Sequence, residues 1–285
     1  MRGEPSRAHL VGSCVLSSDT STEVAIAYGT TYGTHLSFEQ LDTASWWHFA
    51  LGHHTLSVCK VSMARKSLAL NLIHQAAAGD IILLFDADIR LAPNVIDSMV
   101  LAFREVPDCF AVGVRYQGEI PPINSLRSPL EWLRILVSRA INHFDDCLPR
   151  IDGKGYGYRR SLIQDHPSVI AVDTWLEAYA WRIGRCIYLR ETTVFYRFPD
   201  RFQDLVIQYA RYVRSFRTLI EDYPWIGALH QNRGIRLSGA VWRRPRFVNR
   251  ILGFLLFRIV DLYIYFDKSE ERGEQWTPIQ STKRA

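Results

Sequence analysis

Asp86 and Asp88, with only Ala87 between them, end the apolar run of "DIILLFDADIRL" at residues 80–91. The stretch IILLF suits a strand covered on both faces, yet it finishes in two carboxylates. Side by side, such groups repel one another unless a cation neutralises them. Carboxylate oxygens are hard ligands for Mg²⁺ or Mn²⁺, and these ions commonly bridge to phosphates of a substrate. A strand-ending turn also uses aspartates, so the rest of the chain has to decide. Upstream, "SSDTSTE" places Asp19 after a strand-like run, where an acid can accept hydrogen bonds from a nucleobase or ribose. Lys66 stands near the start of a helical pattern, where the positive end of the helix dipole favours anions; an exposed lysine is the plainer reading. Asp173 opens "DTWLEAYAWRIG" as the N-cap of a helix that Gly184 stops. Gln208 and Arg211, three apart, share a helix face with Tyr212 adjacent. An amide, a guanidinium and a ring suit sugar and pyrophosphate binding, and a solvated face with Tyr212 in the core is the alternative.

These side chains need a scaffold, and the sequence alternates strand-like runs with helix-like patterns. That alternation favours an α/β layer fold with a largely parallel sheet. "HLVGSCVLSS" and "TLSVCKV" read as strands, and "MARKSLALNLIHQAA" as a helix burying Leu68, Leu72, Ile73 and Ala76. After the strand IILLF, Pro93 opens a helix whose Ile96, Met99, Val100 and Phe103 share one face. "CFAVGVRY" is a further strand, "PLEWLRILVSRAINHF" a helix, and "GKGYGYRRSLI" a glycine-punctuated loop running into a helix. "RCIYLR" and "TVFYRF" are short strands, and residues 204–220 a helix with Leu205, Tyr209, Tyr212, Phe216 and Leu219 along one side. In an open α/β sheet, ligands collect at the carboxyl ends of strands, which is where Asp86 and Asp88 fall.

In this order the segments resemble family 2 glycosyltransferases of the GT-A fold. "SDTSTE" is similar to that family's Asp-Gly-Ser-Thr-Asp element, and "RKSLALNLIHQAAAGDIILLFDADIRLAPNVI" to its lysine–Leu-Asn–Gly-Asp–strand–Asp-x-Asp block. "GKGYGYRRSLI" resembles the acceptor-side loop, "VDTWLEAYAWRIGRCIYLRETTVFYRF" the segment carrying the base, and "QYARY" the Gln-x-x-Arg-Trp signature. The likeness runs over roughly residues 10–215, and motifs in the correct order are far more specific than any one alone. It implies an α/β, Rossmann-like GT-A fold, with a mixed, mostly parallel sheet flanked by helices. By position it implies that Asp19 contacts the nucleoside, Lys66 the diphosphate region and Asp86 the ribose and diphosphate. Asp88 would hold Mn²⁺ or Mg²⁺, and Asp173 would be the general base. Lys154, Arg159, Gln208, Arg211 and Tyr212 would meet the acceptor and the diphosphate.

The implied activity is metal-dependent, inverting hexosyl transfer from a UDP- or GDP-linked sugar to a hydroxyl of a glycan or lipid-linked acceptor, in cell-envelope or exopolysaccharide synthesis. Such transfer needs one carboxylate to take the acceptor proton and cations to neutralise the departing nucleoside diphosphate. Two rivals stay open: a degenerate, non-catalytic nucleotide-sugar or glycan-binding protein, and a metal-dependent nucleotidyltransferase. Thr20, Glu23 and Val172 depart from the family's glycine, aspartate and glutamate. The family's first strand and helix have no counterpart in "MRGEPSRA", so the chain is expected to continue upstream of Met1.

Of the 285 residues 48% are hydrophobic, enough to bury a large core. The net charge of +5 is too mild to point to nucleic acid, and no cysteine and histidine pair at zinc-site spacing. The five cysteines are odd in number and far apart, which fits reduced thiols in a cytoplasm, and the N-terminus lacks a signal peptide's apolar core. A catalytic domain over 1–220 and a basic then apolar tail over 221–285 are expected. From Arg233 to Arg250 there are six arginines and no acid, followed by "FVNRILGFLLFRIVDLYIYF". Arg258 and Asp261 inside that segment disfavour a membrane span. Two readings stay open: an amphipathic helix on the cytoplasmic face of a membrane, or a helix packed on the protein with Arg258 and Asp261 paired.

Overall fold

The computed structural model describes residues 9–15, 30–31, 33–41, 44–51, 54–61, 66–86, 88–120, 129–147, 151, 153–169, 171–183, 186–229 and 247–266. Asp19, Gly184 and the arginines from Arg233 to Arg246 lie outside these residues. The chain divides into two compact units, one of residues 1–82, 159–172 and 271–278, the other of 83–158, 173–270 and 279–285.

The first unit is built on a four-stranded sheet in the order β1-β4-β3-β2, from β1 (His9–Val15), β2 (Thr34–Gln40), β3 (Ala44–Leu51) and β4 (His54–Val61). β1 runs parallel to β4, while β3 pairs antiparallel with both β4 and β2. The hairpin partners β2 and β3 were not expected, because Trp46 and Trp47 stand together and blur the alternation of a half-buried strand. Trp46 packs with Ala44, Cys59, Val61 and Ala69 in one buried cluster. Helix α1 (Lys66–Ala76) lies on β1 and β4. Of its four expected core residues only Ile73 is buried. Ser67, Ala69, Leu70 and His74 are the others, Leu68 and Leu72 are half-buried and Ala76 is exposed. The face is turned so that a histidine enters the interior, which an apolar count passes over.

His74 meets His166 edge to face, with ring centroids 5.8 Å apart. The Asn71 amide brackets His166 from the same helix: Nδ2 donates to the His166 carbonyl at 2.9 Å, and the His166 N–H donates to Oδ1 at 2.6 Å. Burial, then the neighbouring His74, push the His166 pKa down to about 4, against a smaller upward pull from Asp165. His74 is lowered too, by burial first and then by Arg160.

The second sheet has the order β5-β8-β7-β9-β6, from β5 (Ile81–Phe85), β6 (Ile89–Leu91), β7 (Ala111–Glu119), β8 (Gly155–Arg159) and β9 (Cys186–Arg197). β7 and β9 are parallel, while β8 runs antiparallel to β7 and β6 antiparallel to β9. β5 stands at an edge of this sheet, and only Ile82 of its apolar run is fully buried. β9 is one long strand where two short ones were expected; a register shift opposite Val114 and Arg115 absorbs the polar stretch around Glu191.

"GKGYGYRRSLI" is a strand and a short 3-10 turn (Arg160–Leu162), not a loop leading into an α-helix. Its Gly-Tyr-Gly-Tyr alternation is a period of two. Gly157 has no room for a side chain: a Cβ would sit 2.5 Å from Leu83 and 3.0 Å from Phe103. The intervening Tyr156 and Tyr158 are fully buried, and burial pushes the Tyr158 hydroxyl well above the usual phenol range.

Helix α2 (Val95–Glu105) packs on β9 and β7, and α3 (Pro129–Cys147) on β7. α2 starts two residues after Pro93, behind Asn94 in the left-handed region (φ 63). Met99 and Phe103 are buried as expected, whereas Ile96 is exposed. The Asn142 side chain of α3 clasps the backbone of Gly118 through two bonds of 2.7 Å, fixing the far end of β7. α4 (Val172–Ile183), α5 (Phe202–Asp222) and α6 (Phe247–Phe266) complete the described helices longer than two turns. α6 packs against α3 and α5, burying Leu256 and Val260. Asp261 pairs with Arg217 of α5 at 3.3 Å, where the sequence suggested Arg258 as its partner. No described helix is long and apolar enough to cross a membrane.

Candidate active site

Asp86 follows the last residue of β5, and Asp88 precedes β6. Asp86 is half-buried and Asp88 exposed. β6 is held by its antiparallel ladder to β9, Ile89 opposite Tyr196 and Leu91 opposite Val194. The two acids thus sit on a short connection anchored at both ends by sheet.

β8 is packed beside β5 with Gly155 against Phe85 and Gly157 against Leu83, so the two strands run in opposite directions. The same register carried one step further sets Lys154 across from Asp86. Lys154 is buried, and its ammonium lies over the Tyr196 ring at 4.6 Å and the Tyr116 ring at 5.4 Å. Two aromatic faces stabilise this buried cation. Tyr116 also donates its hydroxyl to the Gly155 carbonyl at 2.8 Å, which ties the start of β8 to β7.

Asp173 lies inside the first turn of α4, because the helix begins at Val172, two residues earlier than an Asp173 N-cap would allow. Its Oδ2 accepts the Gly153 N–H at 2.9 Å and its Oδ1 the Thr174 N–H at 3.0 Å. Four residues on, on the same face of α4, buried Glu177 accepts the Ile151 N–H at 3.1 Å. The two carboxylates hold the backbone at Ile151 and at Gly153, next to Lys154. Each Asp173 oxygen keeps lone-pair capacity beyond the single bond described for it. Glu177 went unnoticed in the sequence, although its i+4 spacing from Asp173 marks the shared face.

Asp86, Lys154 and Asp173 are therefore brought to one end of the second sheet, with Asp88 two residues from Asp86. Gln208, Arg211 and Tyr212 lie along α5, the first two half-buried and Tyr212 40% exposed, so Tyr212 is not a core residue. Lys66, the first residue of α1, and Arg159, the last of β8, belong to the first unit and are half-buried there.

Among the described residues no cluster of three or more His, Cys, Asp or Glu forms a closed metal cage. The donor set still fits Mg²⁺ or Mn²⁺, because these ions are commonly held by one or two carboxylates while substrate phosphates and water fill the remaining positions.

Residues 58–166 match the family model described as glycosyl transferase family 2. That segment contains Lys66, Asp86, Asp88, Lys154 and Arg159. No curated protein matches the chain in sequence. Among solved structures, the chain is similar to the mannosyltransferase PcManGT from Pyrobaculum calidifontis, determined in complex with GDP-Man and Mn²⁺. The identity is 17%, the match covers 91% of this chain and 78% of that one, and the TM-score is 0.51. It is also similar to S. aureus TarS residues 1–349, at 13% identity, 90% and 81% coverage and a TM-score of 0.41. The mixed sheet flanked by helices is the GT-A architecture.

Proposed function

We propose that this chain, with a glycosyl transferase family 2 domain on a GT-A fold, is an inverting glycosyltransferase. It moves a sugar from a nucleotide-linked donor to a hydroxyl acceptor. The observation that carries the reading is the grouping of Asp86, Lys154 and Asp173 at the end of the second sheet. The match over residues 58–166 supports the reaction class, and the GDP-Man and Mn²⁺ in the PcManGT complex support a nucleotide sugar and a divalent ion as ligands.

Asp88 would hold the ion, which when bound supplies positive charge to the diphosphate leaving group, with Asp86 against the ribose and diphosphate. Lys154 adds a fixed, partly desolvated positive charge beside Asp86, where it favours the developing negative charge of the diphosphate. Asp173 is the candidate base that removes the proton from the acceptor hydroxyl as its oxygen attacks the anomeric carbon. Backbone N–H groups at the start of a helix hold its carboxylate in place for that task. Asp19 and Lys66 are assigned to the nucleoside and diphosphate, and Arg159, Gln208, Arg211 and Tyr212 to the acceptor and diphosphate. The acceptor is proposed to be a cell-envelope glycan or a lipid-linked sugar met at the cytoplasmic face of a membrane. Support for a membrane surface comes from α6: Ile251, Leu255, Leu262 and Tyr265 are exposed along one stripe, and the segment leading into it is rich in arginine.

The test is to incubate the protein with a panel of nucleotide sugars and Mn²⁺ and identify the phosphorus-containing product. Nucleoside diphosphate release that needs the metal and is lost in Asp88→Asn supports the transferase. Pyrophosphate release would instead indicate nucleotidyl transfer, and metal-dependent binding without turnover a non-catalytic sugar-nucleotide receptor.

A further inference from the structure

Arg134 lies on α3 with a relative exposure of 2%, among the most buried charged residues described. A guanidinium carries five N–H donors and stays protonated under all ordinary conditions. Around Arg134 those donors are poorly served. Nη1 donates to the Pro199 carbonyl at 3.5 Å, Nη2 stands 3.9 Å from a Glu131 carboxylate oxygen, and the buried Nε has no partner. A desolvated cation with so little compensation is costly, and an apolar side chain of similar volume would be more stable in its place. The missing counter-charge has somewhere to come from, because Arg134 lines a cavity of about 530 Å³ between α3 and the start of α5.

The lining fits an anion carried on a larger molecule. Arg201, exposed at the N-cap of α5, adds a second guanidinium. Two acids also line the cavity: Glu131, 3.9 Å from Arg134 Nη2, and Asp200, both of whose oxygens face Arg197 Nη2, at 3.1 and 3.2 Å, so that its charge is largely answered there. The first N–H groups of α5, a helix of 21 residues, favour negative charge on the same side. Leu130, Phe202 and Val206 supply an apolar wall for whatever bears the anion.

We infer that this cavity binds an anionic oxygen group, a phosphate or a carboxylate, with Arg134 as the buried contact and Arg201 as the outer one. The cavity's lining includes none of Asp86, Lys154 and Asp173, and the inference does not depend on the reaction proposed for that grouping.

Calorimetry and thermal unfolding with inorganic phosphate and with glucuronate, in chelator and without divalent metal, test the assignment. Wild-type protein is expected to bind at least one of the two anions and to gain thermal stability in proportion. Arg134→Met should unfold at the same or a higher temperature without anion, and should lose the anion-dependent gain. Arg201→Ala, a surface change that leaves the core intact, should weaken the same binding roughly 3- to 10-fold, the worth of a partly exposed charge-assisted contact. If Arg134→Met does not fold, Arg201→Ala alone decides. Equal anion stabilisation in wild type and both variants, or none in wild type with either anion, overturns the inference. Vesicles containing phosphatidylglycerol separate the two sources of the anion. Weaker binding of Arg134→Met to them assigns the cavity to a lipid headgroup, while unchanged binding, with loss of phosphate or glucuronate affinity, assigns it to a soluble or glycan-borne anion.

Discussion

The His74–His166 pair makes stability depend on pH between neutrality and about pH 4. His166 has a folded pKa of about 4 against an ordinary value of 6.5. A folded pKa depressed below the unfolded one means that the unfolded chain takes up a proton first as pH falls. The stabilisation is therefore complete above about pH 6.5 and is lost progressively toward pH 4. Each pH unit in which the unfolded state holds one extra proton removes about 1.4 kcal/mol. From about pH 7.5 to about pH 5, His166 alone should remove roughly 2 kcal/mol. His74 is shifted in the same direction and steepens the loss. The charged groups acting on the pair are Arg160, which opposes protonation of His74, and Asp165, which favours protonation of both rings. Urea unfolding followed by tryptophan fluorescence at intervals across this range measures the slope. His166→Gln removes the titrating ring but keeps the backbone bonds to Asn71, which do not involve the side chain. That variant should lose clearly less stability than wild type over the same interval. An acid slope as steep as that of wild type would refute the argument.

The remaining predictions concern the site, the sheet and the tail. Asp173→Asn should spare donor binding and cut turnover by roughly 10² to 10⁴ in a coupled assay; near-normal turnover would leave Asp173 as a helix-start residue that only holds Gly153. Gly157→Ala should destabilise by about 1 to 3 kcal/mol, because the new methyl meets Leu83, Phe103 and Met99 in a packed layer, and chemical denaturation reads the loss. Leu255→Glu with Leu262→Glu, on the exposed stripe of α6, should reduce sedimentation with anionic vesicles, and added salt should weaken binding of the unaltered chain. Unchanged sedimentation of that double variant would remove α6 from membrane contact.

The segments that were legible in the sequence are those whose pattern depends on nearby residues alone. The strand ending at Asp86, the helix over residues 95–105 and the long helix beginning at Phe202 follow from local periodicity. What escaped was decided by neighbours distant in the chain. Whether Ile96 or Val95 faces inward depends on how α2 lies against β9 and β7, not on their equal hydrophobicity. β5 reads as a strand covered on both faces, yet its place at an edge of the sheet leaves most of the run half-buried. Asp261 looked like a partner for Arg258, three residues away, and the packing of α6 against α5 gave it Arg217 instead.

Residues 153–159 show how a pattern can be visible and still be misread. Glycine is ordinarily a loop residue, and three of the first five residues of "GKGYG" are glycine, so the segment reads as a loop. The tyrosines spaced between them carry the opposite signal, a strict period of two with one bulky face and one bare face. The bare face is required because Leu83, Phe85, Met99, Phe103 and Val194 occupy the space where side chains would stand. That close approach lets β8 lie flat beside β5 and brings the residue before Gly155 level with the residue after Phe85. Lys154 and Asp86 are thereby set across from one another, and Asp173 and Glu177 hold the preceding turn by its backbone. The glycines that suggested a loop are thus the reason that residues 68 apart in sequence, Asp86 and Lys154, stand level with one another at one end of two neighbouring strands.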